Sequence, residues 1–220
     1  MRLKFFIPES NLTSVIELYG AGTARTLRPI WMAEEINIEY VLYPIGPRTG
    51  ETRTEKYTEL NPKQKIPLLK HGDFLLSESL AICRYLQRLD IAKSDFIPKE
   101  SRLRALEDEW CNFIYGELDE TSLYVMRRHG DLAQIYGDAP NVVKSCEEYF
   151  YKQLSVVEKK LKKQDTLFGL DFSLADILLV SCLDWAIAYK LELPRAVLSY
   201  HKKMISREAY KKAVKINYGN

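Results

Sequence analysis

The pattern of hydrophobic and polar residues changes near residue 90. Before this point short apolar, β-branched runs alternate with segments of helical spacing, and after it nearly all apolar residues recur at helical spacing. The first part predicts strands at 14–19 and 40–45, a hairpin over 66–76, and helices over 27–37 and 79–89. This order of elements is typical of an α/β domain.

The second part predicts an all-helical domain. Its helices are expected near 100–129, 140–163 and 174–190, with a shorter one near 196–215. The polar segment at 92–95 separates the two patterns, so we expect one domain over 14–91 and another over 98–220. Residues 1–13 carry no clear period and are expected to form an N-terminal extension.

Composition and charge exclude several classes of function. The chain has 220 residues, of which 46% are hydrophobic and 28% charged, as in ordinary globular proteins. Its formal net charge of +2 is too balanced to predict binding to nucleic acid or to an anionic membrane. No apolar run approaches the ~18 residues that span a bilayer, and no signal peptide is recognisable. We therefore expect a cytoplasmic protein.

The cysteines predict neither a metal site nor disulfides. All four lie in apolar or helical stretches, far apart in sequence: Cys83, Cys111, Cys146 and Cys182. No pair has the spacing of a zinc site or a CxxC motif. We expect small buried side chains in a reducing compartment.

One motif combines a hairpin with the start of a helix. It reads Asn61-Pro62-Lys63-Gln64-Lys65-Ile66-Pro67-Leu68-Leu69 and is followed by Ser77-Glu78-Ser79. Pro67 removes a backbone donor, so it belongs at the start or the edge of a strand. If the Ile66–Pro67 bond is cis, Ile66 can offer its N–H and C=O to an extended peptide, as in strand addition.

Glu78 and Ser79 lie at the start of the helix that follows. The free N–H groups and positive dipole of a helix N-terminus favour a carboxylate, and Glu78 supplies the charge that an ammonium group needs. The motif therefore suits a γ-glutamyl amino-acid head group. In the alternative interpretation, Ser79 only caps its helix and Glu78 only favours the positive helix end.

A second motif, Ser173-Leu174-Ala175-Asp176, precedes an apolar run that extends to Trp185. It has the spacing of a capping box in which Asp176 replaces the usual Glu. We interpret it as the structural start of a buried helix and not as a catalytic feature.

Together these motifs resemble the cytosolic glutathione transferases, over about residues 15–215. Asn-Pro-x-x-Lys-Ile-Pro-x-Leu with Ser-Glu-Ser is similar to the glutathione-binding half of that family, and Ser-x-x-Asp is similar to a box in its second domain. The resemblance is to a serine- or threonine-type, bacterial-like member. It implies a thioredoxin-like α/β domain followed by an all-α helical bundle, glutathione as co-substrate, a small hydrophobic electrophile and a homodimer.

The same resemblance implies which residues hold glutathione. They are Lys65, Ile66, Pro67, Glu78 and Ser79, with Arg25 at the mouth of the site. Lys65 adjoins Ile66 and is expected to meet the glycyl carboxylate. Alternatives for that carboxylate are Lys63, Gln64 and Arg53.

In this family a hydroxyl between the first strand and the first helix activates the glutathione thiol. Here that turn contains Tyr19, Thr23 and Thr26. Pro29 is tolerated only in a first helical turn, which predicts the helix cap just before it, at Thr26. The Thr26 oxygen would then be occupied by backbone N–H groups, leaving Thr23 as the free hydroxyl and the catalytic residue. The alternatives are Thr26, Tyr19, Arg25 and a backbone N–H.

Thr23 departs from the family pattern, in which this residue is usually Ser, Tyr or Cys. Threonine keeps the hydroxyl donor, whereas the lack of a cysteine argues against deglutathionylation of the cysteine type. Glutathione-dependent reduction of disulfides or peroxides stays open, and so does a binding or scaffold protein of the same fold without chemistry. A zeta-type isomerase ranks below both, because its serine- and cysteine-rich turn is missing.

The second substrate is expected between the turn at 20–28 and the long helix at 100–129. The predicted wall residues are Asn112, Tyr115, Asp119 and Tyr124. Their spacing is partly helical, and simple packing of the aromatic rings is the alternative interpretation.

Overall fold

The computed structural model describes residues 14–89, 100–169 and 172–219. The predicted N-terminal extension over 1–13 and the polar boundary at 92–95 lie outside the described residues. The domain limits that depend on them therefore stay a prediction.

Four short strands form one mixed sheet near the start of the chain. They are β1 (Ile16–Tyr19), β2 (Tyr40–Tyr43), β3 (Leu68–His71) and β4 (Phe74–Ser77), in the order β2-β1-β3-β4. β1 and β2 are parallel, as a crossover through a helix requires, and the other pairs are antiparallel. The strands and hairpin predicted from the sequence are thus confirmed, with each strand end shifted by three residues or fewer.

Helices α1 (Ala24–Glu35), α2 (Glu55–Leu60) and α3 (Ser79–Gln87) complete the first half, with a 3₁₀ turn at Glu51–Arg53. Alternation along β1 buries Ile16 and Leu18 in the main apolar core, with Leu27 of α1 and Leu86 of α3. α1 also contacts the helical half, through α8 and α10, so it is buried almost all round.

In the described residues of the second half, all regular secondary structure is helical. Its elements are α4 (Ser101–Phe113), a π-helix (Ile114–Tyr124), α5 (Val125–His129), α6 (Ala133–Tyr136), α7 (Pro140–Leu161), α8 (Leu174–Ala188), α9 (Arg195–Ile205) and α10 (Glu208–Tyr218). The predicted fold class, a thioredoxin-like α/β domain followed by a helical domain, is confirmed. None of the helices in the described ranges is long and apolar enough to cross a membrane.

Two helix predictions were wrong in detail. The segment near 196–215 contains two helices, because helical structure is interrupted at Ser206 between α9 and α10. The helical segment predicted near 100–129 is confirmed, and it includes the π-helix. α1 begins at Ala24, three residues earlier than the periodicity indicated, because Thr23 caps it.

The predicted cap of the buried helix α8 is confirmed at Ser173, whose hydroxyl accepts a hydrogen bond from the N–H of Asp176. The side chain of Asp176 does not complete a reciprocal box. It accepts the hydroxyls of Ser173 at 2.6 Å and of Tyr200 at 2.5 Å. Asp176 therefore ties the start of α8 to α9, which agrees with a structural role.

Candidate functional site

The start of α1 is capped by Thr23 and not by Thr26. The Thr23 hydroxyl accepts a hydrogen bond from the Thr26 N–H at 3.0 Å, and the Thr26 hydroxyl accepts one from the Thr23 N–H at 3.0 Å. The cap predicted from Pro29 was wrong, since Pro29 is the sixth residue of α1. The helix tolerates it there without the backbone donor that would pair with the carbonyl of Arg25.

This cap changes the predicted roles of the two threonines. Thr26 is fully buried, and its hydroxyl donates within the protein, which removes it as a donor to a ligand. The sequence predicted a free Thr23 hydroxyl, but its oxygen is occupied. It accepts the Thr26 N–H and contacts the Thr26 hydroxyl at 3.0 Å. Its own hydrogen stays available, since a hydroxyl can accept and donate at once.

Tyr19 does not fit the role of thiol donor. It is buried at the end of β1, and its hydroxyl donates to Glu17 at 2.7 Å. Burial and the Glu17 carboxylate raise the pKa of Tyr19 well above its usual range. Its ring stacks on Tyr43 at a centroid distance of 4.5 Å, so it is part of the packing of the sheet.

The turn after β1 packs directly against the loop before β3. Gly20 has φ of +114°, and a Cβ at this position would lie 2.7 Å from Cβ of Ile66 and 2.9 Å from Cγ2 of Thr26. Only glycine permits both the backbone conformation and this approach. The close packing brings the start of α1 to the Ile66–Pro67 peptide, which is cis.

The loop before Pro67 is held by two hydrogen bonds to one carbonyl. The Tyr57 hydroxyl and the Asn61 amide donate to the carbonyl of Lys65 at 2.7 and 2.8 Å. Within the described residues, neither the N–H nor the C=O of Ile66 has a recorded hydrogen-bond partner. Ile66 therefore presents both groups to a ligand, as the motif predicted.

Glu78 and Ser79 form the start of α3. Glu78 has φ of +75°, an uncommon conformation for a residue with a side chain, and its carboxylate pairs with Lys63 at 2.9 Å. Ser79 is not the cap, since Glu78 holds that position. The Ser79 hydroxyl instead accepts a hydrogen bond from Arg28 at 3.2 Å, so it is oriented by the protein.

These elements enclose a cavity of about 290 Å³. It is lined by Arg25, Lys65, Ile66, Pro67, Ser77, Glu78, Ser79, Tyr115, Glu120 and Tyr124. All six residues predicted to bind glutathione are among them. Thr23 is not among the lining residues; it caps the helix whose second residue, Arg25, is one of them.

A buried cluster of charges forms one wall of this site. Asp119 bonds to Nη2 of Arg28 at 2.5 Å and to Nη2 of Arg25 at 2.5 Å. Burial alone would raise the pKa of Asp119, but the charges of Arg28 and Arg25 outweigh it and lower the pKa below the usual 3.8. Asp119 therefore stays ionised and holds Arg25 in place, as part of the wall and not as a side chain exposed to the cavity.

The π-helix determines which residues face the cavity. Its hydrogen bonds join residues five apart, and the Tyr115 hydroxyl donates to Glu120 at 3.1 Å. Tyr124 follows Asp119 by the same interval, and its ring lies 4.4 Å from the guanidinium carbon of Arg25. Burial, together with Glu120, raises the pKa of Tyr115 to about 12, so it stays protonated.

Asn112 is a correction to the predicted wall. It lies in α4 before the π-helix, is exposed, and donates its amide to the carbonyl of Asp108 at 2.8 Å. The extended register of the π-helix brings Tyr124 into the site, whereas Asn112 stays outside. Tyr115 and Tyr124 do line the cavity.

The cysteines lie away from this cavity. Burial raises the pKa of both Cys83 and Cys182 to about 12, so neither is a reactive thiolate. All four cysteines are free thiols. In the part of the chain that the structure describes, no three His, Cys, Asp or Glu residues come together as a metal site would require.

Comparison with known proteins agrees with this architecture. Residues 14–88 match the glutathione S-transferase N-terminal domain, and residues 117–208 match the glutathione S-transferase C-terminal domain. Glutathione S-transferase hmp2 of Hypomyces subiculosus is 32% identical over 175 residues, which are 74% of this chain and 78% of that protein. Glutathione S-transferase theta-1 of Bos taurus is 28% identical over 170 residues, which are 76% of this chain and 71% of the bovine protein.

A solved structure shows the same arrangement of both halves. It is that of glutathione S-transferase-I bound with lactoylglutathione, and it matches with a TM-score of 0.77 and 26% identity. The match covers 92% of this chain and all of the other. With both domains matched in order and a relative above 30% identity, this chain belongs to the glutathione S-transferase family.

Proposed function

We propose that this protein is a glutathione transferase in which the bound thiolate of glutathione attacks a small hydrophobic electrophile. The observation that carries this proposal is the convergence of three elements on one cavity. They are the cis Ile66–Pro67 loop, the Glu78–Ser79 helix start and the N-terminal turn of α1.

Each part of glutathione has a counterpart in this cavity. The unpaired N–H and C=O of Ile66 suit the peptide-like middle of the tripeptide. The N-terminus of α3, with Ser79, suits the γ-glutamyl carboxylate, and Glu78 suits the ammonium group. Lys65 is exposed at the rim and is available to the glycyl carboxylate.

Thiol activation needs only a modest free energy. A free thiol has a pKa of about 8.5, so only about 3% is ionised at pH 7. Lowering that pKa by about two units takes about 2.7 kcal/mol. One hydrogen bond to a charged acceptor contributes about 1.5–3 kcal/mol, so a single donor suffices.

We assign that role to the Thr23 hydroxyl, assisted by the start of α1. The N–H groups of Ala24 and Arg25 precede the first intrahelical hydrogen bond, from Leu27 to Thr23, and have no recorded partner among the described residues. These groups and the helix dipole favour a negative sulfur at the same place. Arg25 lines the cavity and adds positive charge, which makes it the alternative donor.

The electrophile is expected against Tyr115 and Tyr124, the two aromatic residues among those that line the cavity. The serine- or threonine-type, bacterial-like subtype rests on Thr23 and stays a prediction.

We also propose a homodimer and a cytoplasmic location, both of which are typical of this family. Exposed apolar side chains support the first: Phe74 and Leu75 on β4, and Leu103 and Leu106 on α4. The free cysteines are consistent with a reducing compartment. Sedimentation equilibrium of the wild-type protein measures the oligomeric state directly.

The proposed function is tested by calorimetry with glutathione, combined with titration of the bound thiol by its thiolate absorbance. Binding with a lowered thiol pKa is expected. Binding with an unchanged thiol pKa would favour a reductase, and no binding would favour a scaffold protein.

The donor is tested with Thr23→Ala and Thr23→Ser. Thr23→Ala is expected to raise the pKa of the bound thiol with little change in glutathione affinity, whereas Thr23→Ser keeps the hydroxyl and is expected to leave the thiol pKa low. If Thr23→Ala leaves the thiol pKa unchanged, the role passes to Arg25 or to the helix N–H groups.

A further inference from the structure

Asn217 is a buried polar residue that joins the last helix to the proposed thiol-activating turn. It lies in the last turn of α10 and is only 3% exposed. The N–H of Gly22, 195 residues away, donates to the main-chain oxygen of Asn217 at 2.8 Å and lies 3.2 Å from its Oδ1. A carbonyl in the last turn of a helix has no partner within the helix, which frees it for this contact.

The turn depends on this contact because the sheet holds only its first part. The N–H groups of Gly20 and Ala21 donate to Tyr43 and Ile45, in and just beyond β2. Gly22 has φ of +81°, and a Cβ there would meet only Pro47, at 3.6 Å. Close side-chain packing therefore does not fix the turn at this position. Asn217 therefore anchors the turn at Gly22, directly before the capping box of Thr23 and Thr26.

The side chain of Asn217 continues the same attachment into the capping box. Its Nδ2 donates to the carbonyl of Thr23 at 3.1 Å, and its Oδ1 accepts the hydroxyl of Thr26 at 2.8 Å. An asparagine amide carries one donor side and one acceptor side, and here both are used. An aspartate at this position would place a carboxylate oxygen against the Thr23 carbonyl.

The acceptors around the capping box determine where the hydrogens of the Thr23 and Thr26 hydroxyls point. The Thr23 carbonyl already receives the N–H of Leu27 at 3.0 Å and Nδ2 of Asn217, which together use its two lone pairs. The Thr26 hydroxyl lies 2.9 Å from this carbonyl and 2.8 Å from Oδ1 of Asn217. Because both lone pairs of the carbonyl are already used, Oδ1 of Asn217 is the better acceptor of the Thr26 hydroxyl hydrogen. The hydrogen of the Thr23 hydroxyl is the one that is left to turn from the Thr26 oxygen to a charged sulfur.

We propose that Asn217 is a positioning residue for thiol activation, which holds the Gly22–Thr23 turn and the Thr23–Thr26 box in the geometry that delivers the Thr23 hydroxyl to the sulfur. The inference rests on the proposed function, because it requires bound glutathione and Thr23 as the donor. It makes the end of α10 part of the active site, although no side chain of α10 lines the cavity.

The direct test is the pKa of the bound glutathione thiol in Asn217→Ala. This variant keeps the main-chain bond to Gly22 but removes the side-chain bonds to Thr23 and Thr26. Hydrogen bonds weaken steeply when distance and angle change, so loosening the box is expected to raise this pKa by about one pH unit, or about tenfold less thiolate. With an activated aryl halide as probe electrophile, kcat is expected to fall by about the same factor. The KM for glutathione is expected to change less than about threefold.

Three further variants separate positioning from general stability. Asn217→Asp keeps the acceptor but loses the donor and adds a charge beside the turn, so the thiol pKa is expected to rise further than in Asn217→Ala. Thr26→Val removes the hydrogen bond to Oδ1 of Asn217 together with the acceptor of the Thr23 N–H, and it is the variant to measure if Asn217→Ala does not fold. Lys215→Ala, an exposed position on the same helix, is expected to leave the thiol pKa unchanged.

A double-mutant cycle connects Asn217 to Thr23. In a Thr23→Ala background, Asn217→Ala is expected to raise the thiol pKa no further, because the donor that it positions is gone. If folded Asn217→Ala or Thr26→Val binds glutathione with the wild-type thiol pKa, or if the two changes at 217 and 23 are additive, the inference is wrong while the proposed function stands. Failure of the wild-type protein to bind glutathione would instead overturn the proposed function.

Discussion

Arg28 and Asp119 form an ion pair, 2.5 Å apart, in which both side chains are completely buried. The same guanidinium donates to Ser181 at 2.8 Å and to Ser79 at 3.2 Å. One pair thus joins α1, the π-helix, α8 and the start of α3. The groups proposed to meet the γ-glutamyl carboxylate and the second substrate therefore share one buried support.

Asp119→Asn is expected to lower the free energy of unfolding by about 3–5 kcal/mol, because it leaves the charge of Arg28 buried without a counterion. Urea unfolding measures this change. The control is Glu120→Gln, which removes the half-exposed partner of Arg25 at 3.0 Å and is expected to cost less than about 1 kcal/mol. Similar costs for the two variants would contradict the importance given to the buried pair.

Glu78→Ala is expected to weaken glutathione binding at least tenfold, since it leaves the ligand's ammonium group unpaired. Glutathione must also compete with Lys63 for this carboxylate, because Glu78 pairs with Lys63 in the free protein. Calorimetry measures the affinity, with Glu39→Ala, another exposed glutamate, as the control. An affinity equal to that of wild type would remove the main support for the site.

Gly20→Ala is expected to impair both stability and glutathione binding. Its Cβ would collide with Ile66, and its φ of +114° is unfavourable for alanine. Gly50→Ala is a matched control, since Gly50 also has positive φ, +92°, but a Cβ there would meet nothing within 4 Å. Thermal melting and calorimetry compare the two. Equal losses would attribute the effect to backbone strain alone and not to the approach of the turn to Ile66.

Asp176 is expected to make stability fall as the pH rises from about 4 to about 6. Burial raises its pKa from 3.8 to about 6, against the hydrogen bonds from Ser173 and Tyr200. Between these values the folded protein binds one proton more than the unfolded chain, so the free energy of unfolding decreases with pH.

Asp176→Asn removes this titration, so the variant is the reference against which the wild-type protein is compared at each pH. The difference in free energy of unfolding, wild type minus variant, is expected to decrease by about 2.4 kcal/mol between about pH 4 and about pH 7. Urea unfolding at both pH values measures it. A difference that is independent of pH would show that Asp176 titrates normally.

The parts of the fold that follow local rules were predictable from the sequence. Alternation and turn residues located the four strands, and Pro67 with Glu78 and Ser79 located the glutathione motif. Each of these signals lies within a dozen residues or so, where backbone chemistry dominates. The cap at Ser173 was found for the same reason.

The rest depended on interactions between distant segments. Pro29 gave a misleading cap, because burial of α1 against the core outweighs the cost of a proline at its sixth position. Nothing local marks Asn217 as a partner of Gly22 and Thr23, since the contact joins opposite ends of the chain. Partly helical spacing placed Asn112 on the wall together with Tyr115 and Tyr124, but only the two tyrosines line the cavity.

The π-helix also bears on how this site can change in evolution. The hydrogen bonds of a π-helix join residues five apart, whereas those of the α-helices on either side join residues four apart. Insertion or deletion of a single codon between Ile114 and Tyr124 would therefore rotate one set of side chains out of the cavity and another set in. The glutathione motif lies on other elements and would be unaffected, so substrate preference can diversify by small length changes while the thiol chemistry is retained.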